Sequence, residues 1–464
     1  MKIHHNYHYG KDWMLKKMIN EDSTIVRPIH YLGSKLRMLD TVKNAVDKVE
    51  PTGGAICDLF SGSGTVSKYF INYRDVISSD IQVYSSVLCE AEMTGLEDGF
   101  DTNKYVDEMF SGNHLEQLNA AFGSLLEYEK KCITEAQSGK IEGLFEIIEN
   151  GSIYIFENGE EVDRSKELNV QLGTVCTYLD ENELKNSEDI MITRYYGGLY
   201  FSYQQAVYLD CIAHFVFSHT GVKKTKLLAA LLSTTSEIVN TVGKQFAQPL
   251  KVRNSNGEYK KSLLKKILDD RALNVIDIYK KWISHYMRMG KPDHSYDIIC
   301  DDYVNALESL KDKAVKVIYA DPPYTRYHYS RYYHVLETIC LRDNPKITTT
   351  FPNGTGGISR AIYREGRHQS PFCIKSKAEG AFEALFKGVS DLGIPLVLSY
   401  SPFDPSQAVT PRLQTIDQLI EMAQRYFSEV ETLSPGEFTH SKLNSTDKNF
   451  DANHEAEILI LCRK

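Results

Sequence analysis

No run of this chain approaches the ~18 apolar residues a membrane-spanning helix needs, although apolar residues make up 42% of its 464 positions. The opening Met1-Lys2-Ile3-His4-His5 lacks the apolar core of a secretory leader. The nine cysteines stand singly, with no CxxC pair and no spacing that suits zinc or an iron–sulfur cluster, so no metal is expected. Reduced core thiols in a cytoplasmic protein are the expectation. The glycine-rich turn Ser61-Gly62-Ser63-Gly64 is not a dinucleotide GxGxxG, because Ser67 stands where the last glycine would fall, and no GK[ST] follows to make a phosphate loop. Also missing are internal repeats, low-complexity segments and a nuclease-type carboxylate–lysine cluster. What is left is ordinary globular composition, long enough for two or three domains.

The net charge of −9 argues against a polyanionic partner, but its distribution argues the other way. Residues 90–189 hold 24 acids against 7 bases, whereas residues 223–291 hold 5 acids against 15 bases. Affinity for phosphates depends on a local basic face rather than on the total. The basic stretch carries Lys244, Lys251, Arg253, Lys260, Lys261, Lys265 and Lys266 around the turn Asn254-Ser255-Asn256-Gly257. Lysines and arginines among small polar residues suit phosphate contacts.

Several stretches read as parts of an α/β sheet. An amphipathic helix (Leu36, Leu39, Val42, Val46, Val49) ends at Pro51-Thr52-Gly53-Gly54. Ala55-Ile56-Cys57-Asp58 is a short strand ending in an acid, followed by the glycine turn and a helix start. Glycines there let backbone approach a ligand. A second strand ends in Asp80, 22 residues after Asp58, the distance at which a second-strand carboxylate takes ribose hydroxyls. From 90 to 189 the pattern is helical and acidic, with a hairpin expected at Ile153-Tyr154-Ile155-Phe156 around Asn158-Gly159. Two apolar helical stretches follow, one from Tyr195 through Phe215 and one from Leu227 to Val239. The sheet resumes at Tyr296–Tyr303, where Asp302, with Asp301 close behind, could take the amino group of a bound adenine ring. Residues 344–377 read as a mobile loop with Arg360, Arg364, Arg367 and His368 facing a nucleic acid. A helix (378–390), a buried strand (394–400), another helix (414–427) and a last strand (457–461) complete the sheet.

The remaining strand, Val315–Ala320, runs into Asp321-Pro322-Pro323-Tyr324. Neither proline can donate to a ladder, and each biases the preceding residue toward extended backbone, so the strand must stop. An acid, a free carbonyl and an aromatic ring are thus left at the carboxyl edge of a sheet, where open α/β sheets bind ligands. Together they suit a planar base with an amino group: two acceptors take its N–H protons and the ring stacks on its face. The aromatic and basic run Tyr327–His334 follows directly and could stack on or hold a nucleic-acid strand.

In this order the motifs resemble the amino-group DNA methyltransferases, specifically the adenine-modifying, Dam-like group. The YxGSK-type turn is Tyr31-Leu32-Gly33-Ser34-Lys35, the DxFxGxG loop is Asp58–Gly64, and DPPY is residues 321–324. Arg331–Thr338, Ser370-Pro371-Phe372-Cys373 and Tyr200–Lys251 look like the methyltransferases of type IIS restriction–modification systems; residues 90–190 match none of the family's motifs, and Ser401-Pro402-Phe403 departs from its pattern. The resemblance implies a Rossmann-like S-adenosylmethionine-dependent sheet with a large, mainly helical target-recognition insertion. It divides the chain into an N-terminal extension (1–26), a first core part (27–99), the insertion (100–290) and a second core part (291–464). It further implies that Tyr31 and Lys35 line the S-adenosylmethionine pocket, and that Asp58, Phe60, Gly62 and Gly64 cradle the methionine part. Asp80 would bind the ribose and Asp302 the adenine ring. Asp321, Pro322, Pro323 and Tyr324 would form the catalytic site. Double-stranded DNA is the implied partner, with a cognate restriction endonuclease as a further one and no membrane. Methylation of cytosine amino groups or of RNA adenine, or DNA binding on a catalytically dead scaffold, are the alternatives.

Overall fold

A computed structural model describes residues 26–95, 100–159, 162–326, 328–350, 356–401, 413–434 and 457–464. Its frame is a seven-stranded sheet built from β1 (Ala55–Asp58), β2 (Val76–Asp80), β3 (Tyr296–Cys300), β4 (Val315–Ala320), β7 (Leu396–Tyr400), β8 (Glu429–Leu433) and β9 (Ile458–Arg463). Among the described residues two further strands, β5 (Thr349–Thr350) and β6 (Gly357–Ile358), pair with each other. The sheet order is β3-β2-β1-β4-β7-β9-β8. The first five run parallel, and β9 lies antiparallel between β7 and β8.

The apolar runs explain that arrangement. A parallel strand covered on both faces has no solvent side, so it reads as continuous apolar sequence. β7 is buried throughout, and β4 is buried except at Lys316. Within these strands the side chains still alternate. Cys57, Ile318 and Leu398 face one layer with Phe382 and Phe386 from the helix Ala378–Leu392. Ile56, Val317 and Val397 face the other, against Val42, Val46 and Phe70. The edge strands β3 and β8 are only partly covered.

Between β2 and β3 in sequence lies a helical body, Thr102–Met287. Its core gathers Leu118, Phe122, Leu125, Phe145 and Leu172. A second core, centred on Tyr196, Tyr200, Leu231 and Trp282, joins it to Tyr84 and Leu88 on the helix Val83–Met93 that follows β2. A buried ion pair between Arg271 and Glu129 stitches this body internally. Arg271 also donates to the Gly198 carbonyl at 2.7 Å, and Glu129 accepts from the Tyr203 N–H at 2.7 Å.

The hairpin expected at 153–156 is instead a short helix, Ile153–Glu157. Ser152 caps it through the Ile155 N–H, Ile153 and Ile155 are buried, and Glu157 pairs with Arg194. The expected late helix is shorter, Ile416–Ala423, and β8 lay outside the strands read from the sequence. Among the described residues no helix is long and apolar enough to cross a membrane, and the nine cysteines are free thiols, seven of them buried.

Candidate active site

Parallel strands point their carboxyl ends the same way, and here four of them deliver acids to one edge. β1 ends on Asp58 and β2 on Asp80; β3 runs into Asp301-Asp302 and β4 into Asp321. The strand order turns back between β1 and β4, the switch point at which open α/β sheets leave a crevice. A cleft lies there, lined by all five acids with Tyr31, Lys35 and Phe60. Thus Tyr31, Lys35, Asp58, Phe60, Asp80 and Asp302 all line one cleft.

Gly62 and Gly64 stand behind the lining. Gly62 has φ of +53°, and a Cβ on it would fall 2.5 Å from the Tyr31 hydroxyl oxygen; Gly64, at φ +77°, would meet the Cys89 Sγ at 3.0 Å. The Tyr31 ring can lie over this turn because Gly62 carries no side chain, while Gly64 leaves room for Cys89. Tyr333 stacks behind it, with ring centroids 5.0 Å apart. Phe60 meets Phe372 edge-on at 5.5 Å and packs near Tyr303, which makes an aromatic wall.

The acids are individually braced. Asp58 accepts from the Ser67 N–H at 3.0 Å and the Ser67 hydroxyl at 2.7 Å, so it also caps the helix Thr65–Phe70. Burial pushes its carboxyl up to about 7; the Ser67 hydrogen bonds oppose the rise and the negative charge of Asp321 adds to it. Asp80 accepts from the Gly62 and Gln82 N–H groups, both at 2.9 Å, and is likewise raised by burial. Asp302 caps the helix Tyr303–Ser309 through the Val304 N–H, while Asp301 accepts from Asn305 and the Asp302 N–H. Both remain at the rim.

Asp321 and Pro323 line the cleft, Pro322 is buried, and Tyr324 packs on Tyr400 with ring centroids 4.9 Å apart. Burial raises the Asp321 carboxyl to about 6, against the pull of the adjacent Lys35 ammonium. Lys35 lies 2.6 Å from the Asp321 Oδ2 and 3.3 Å from the Glu457 Oε1. Burial works to lower this ammonium, but the two carboxylates more than offset that and hold it raised.

Three features were missing from the sequence reading. Glu457 was seen only as the start of a strand. The Lys35–Asp321 pair was not seen at all, since nothing local links positions so far apart. The tie from the Ser330 hydroxyl to the His368 carbonyl, at 2.5 Å, was also missed, although both residues line the cleft. Conversely, Arg360 and Arg364 do not face outward as expected. Arg360 donates to the carbonyls of Ile148, Glu149 and Leu250, and Arg364 pairs with Asp343. Arg367 lies over the Tyr363 ring. In the basic stretch Lys244 and Lys266 both bind Asp270, and Arg253 binds Glu149, which leaves Lys251, Lys261 and Lys265 exposed. Tyr327 and residues 402–412 lie outside the described residues.

A second cluster, His114, Asp189 and His214, brings its ligand atoms within 4.8 Å of one another. Arg342 already pairs with Asp189, and His114 lies in the first turn of the helix Asn113–Gln137. A guanidinium and a helix N-terminus both disfavour a cation, so no metal is assigned there.

Sheet, switch point and acid-lined cleft together define a Rossmann-like α/β protein of the methyltransferase type. A family model described as D12 class N6 adenine-specific DNA methyltransferase matches residues 31–217. Through this segment the chain is similar to that family, the one its motifs resemble. Among curated proteins, Modification methylase LlaI of Lactococcus lactis subsp. lactis is 24% identical over 441 residues, which cover 94% of this chain and 55% of that one. Type II methyltransferase M.NlaIII of Neisseria lactamica is 24% identical over 443 residues, 94% of this chain and 99% of that one. Type II methyltransferase M.FokI of Planomicrobium okeanokoites is 22% identical over 368 residues, 77% and 42% respectively. The chain therefore spans about half the length of the first of these relatives, less than half of the third, and nearly all of the second. No solved structure matches it.

Proposed function

We propose that the protein is a site-specific DNA adenine-N6 methyltransferase that takes its methyl group from S-adenosylmethionine, in a restriction–modification setting. One observation carries this reading: Asp321 opens onto the same cleft as Asp58, Asp80 and Asp302. The cleft fits such a donor. Asp80 would grip the ribose diol, the apolar aromatic wall of Phe60, Tyr303 and Phe372 suits a purine, and Tyr31 closes over a turn that tolerates no Cβ. Asp302 and Asp301 at the rim supply acceptors for an adenine amine.

When bound, the donor supplies a sulfonium-activated methyl group. The difficulty lies with the acceptor, whose amino lone pair is delocalised into the ring. Asp321 and the Pro322 carbonyl would accept the two N–H protons and draw that nitrogen toward tetrahedral geometry. The same preorganised acceptors stabilise the positive charge that develops there. Alignment of nitrogen and methyl at attack distance supplies the rest. A base inside a stacked duplex must first be extruded, and Tyr324 offers a ring to stack on. The helical body, residues 100–290, is the proposed target-recognition region, and a cognate endonuclease the proposed partner in the cell.

Methylation-aware sequencing of DNA from a host that expresses the protein tests both base and context. N6-methyladenine at one recurring sequence is expected. Marks on cytosine, or none, count against the reading. Asp321→Ala should bind donor and DNA normally yet lose transfer by about three orders of magnitude, the scale on which preorganised polar groups act. A near-wild-type rate in that variant removes Asp321 from the chemistry.

A further inference from the structure

Asp321 has a neighbour that the scheme above leaves idle. Glu457 lies immediately before β9, is 1% exposed, and touches three donors through one oxygen. The Lys35 ammonium is 3.3 Å from its Oε1, the Ser399 hydroxyl donates at 2.9 Å, and the Tyr324 hydroxyl donates at 3.3 Å. Two of those donors belong to the groups that would meet the base. Lys35 is bonded to Asp321, and Tyr324 carries the stacking ring. The charged groups around Asp321 are Lys35, Glu457 and, across the cleft, Asp58; the phenols of Tyr319, Tyr324 and Tyr329 complete the surroundings. One ammonium thus faces more than one carboxylate.

We propose that Glu457 is a positioning residue for methyl transfer, sharing the Lys35 ammonium with Asp321 while steadying the Tyr324 hydroxyl. This deepens the proposed function and rests on it. With Asp321 as its only carboxylate partner, Lys35 would compete for the lone pairs that must accept the amine protons. Glu457 divides the ammonium's attention and leaves Asp321 free to accept. It also leaves the buried site with surplus negative charge, which favours an amine turning cationic.

The test is single-turnover methylation by Glu457→Gln across pH, beside wild type, with donor affinity measured by calorimetry. The variant should transfer about tenfold to a hundredfold more slowly, the cost of a slightly misplaced reacting group. Its donor affinity should stay within about twofold, since Glu457 does not line the cleft. The negative charge of Glu457 helps hold Asp321 up. Its removal should therefore move the acid limb of the rate to lower pH, and Glu457→Asp should restore the limb. A wild-type rate in Glu457→Gln, or a slower one with an unmoved limb, overturns the proposal. If Glu457→Gln fails to fold, Tyr324→Phe, which keeps the ring and deletes the hydroxyl, should slow transfer about fivefold without weakening donor binding; a wild-type rate there overturns it. A wild-type chain that methylates nothing defeats the proposed function instead.

Discussion

Gly62 shows how little room a single position has. Its left-handed backbone already costs any other residue about 1–2 kcal/mol, and a Cβ would press on the Tyr31 hydroxyl. Gly62→Ala is therefore expected to weaken donor binding about tenfold or more by calorimetry, with DNA affinity unchanged; equal affinities would show that Tyr31 swings aside freely. The acids make a second prediction. Asp321 and Asp58 titrate near 6 and 7 because they are buried. At saturating donor the rate should fall as pH drops through about 6, following Asp321, while donor affinity should weaken from about 7, following Asp58. The effect on stability runs the other way. Both folded values lie above the unfolded one near 4, so these groups stabilise the fold fully in acid and lose that contribution as pH rises through 4 to 7. The site thus keeps charges the fold would rather neutralise. Sequence disclosed Asp58, Asp80, Asp302 and Asp321 because each ends or directly follows an apolar strand, a local pattern. It hid Glu457, whose place depends on β9 pairing with β7.

Elements misled where tertiary contact outweighed local preference. Ile153-Tyr154-Ile155-Phe156 has strand-like residues, yet it is helical. Ser152 supplies a cap, Tyr154 stacks on Tyr195 at 4.7 Å, and Glu157 grips Arg194. The strand β8 escaped notice because Glu429-Val430-Glu431-Thr432-Leu433 carries only an edge strand's half-polar alternation. Arg360 was assigned outward on charge alone, whereas its guanidinium satisfies three carbonyls that folding would otherwise leave bare. The helices at 113–137, 203–217 and 264–271 depend on one such buried cation. Arg271, its side chain buried, bonds Glu129 and Gly198. Arg271→Ala should cost about 3–5 kcal/mol in urea unfolding, because it strands the Glu129 carboxylate without its partner. A loss below about 1 kcal/mol would mean that water reaches Glu129.

For the molecule as a whole, an acidic chain with DNA as its proposed substrate must concentrate its cations. Of the basic stretch, Lys251, Lys261 and Lys265 remain open to solvent. Replacing all three with alanine should flatten the salt dependence of DNA binding by about 2–3 in the slope of log K against log salt, at roughly 0.9 per phosphate contact. Anisotropy titrations between low and moderate salt would show it, and an unaltered slope would place the duplex elsewhere. Methylation of short, donor-saturated substrates should then recover at low salt.

The arrangement of the centre has a bearing on biosynthesis. Lys35 precedes β1, Glu457 immediately precedes β9, and β9 fills a slot between strands that leave the ribosome before it. A nascent chain still being translated therefore holds its lysine and its aspartate without the acid that shares them. A product cut short before β9 would be catalytically poor however well its earlier segments fold, and competence would arrive only once β9 has paired between β7 and β8.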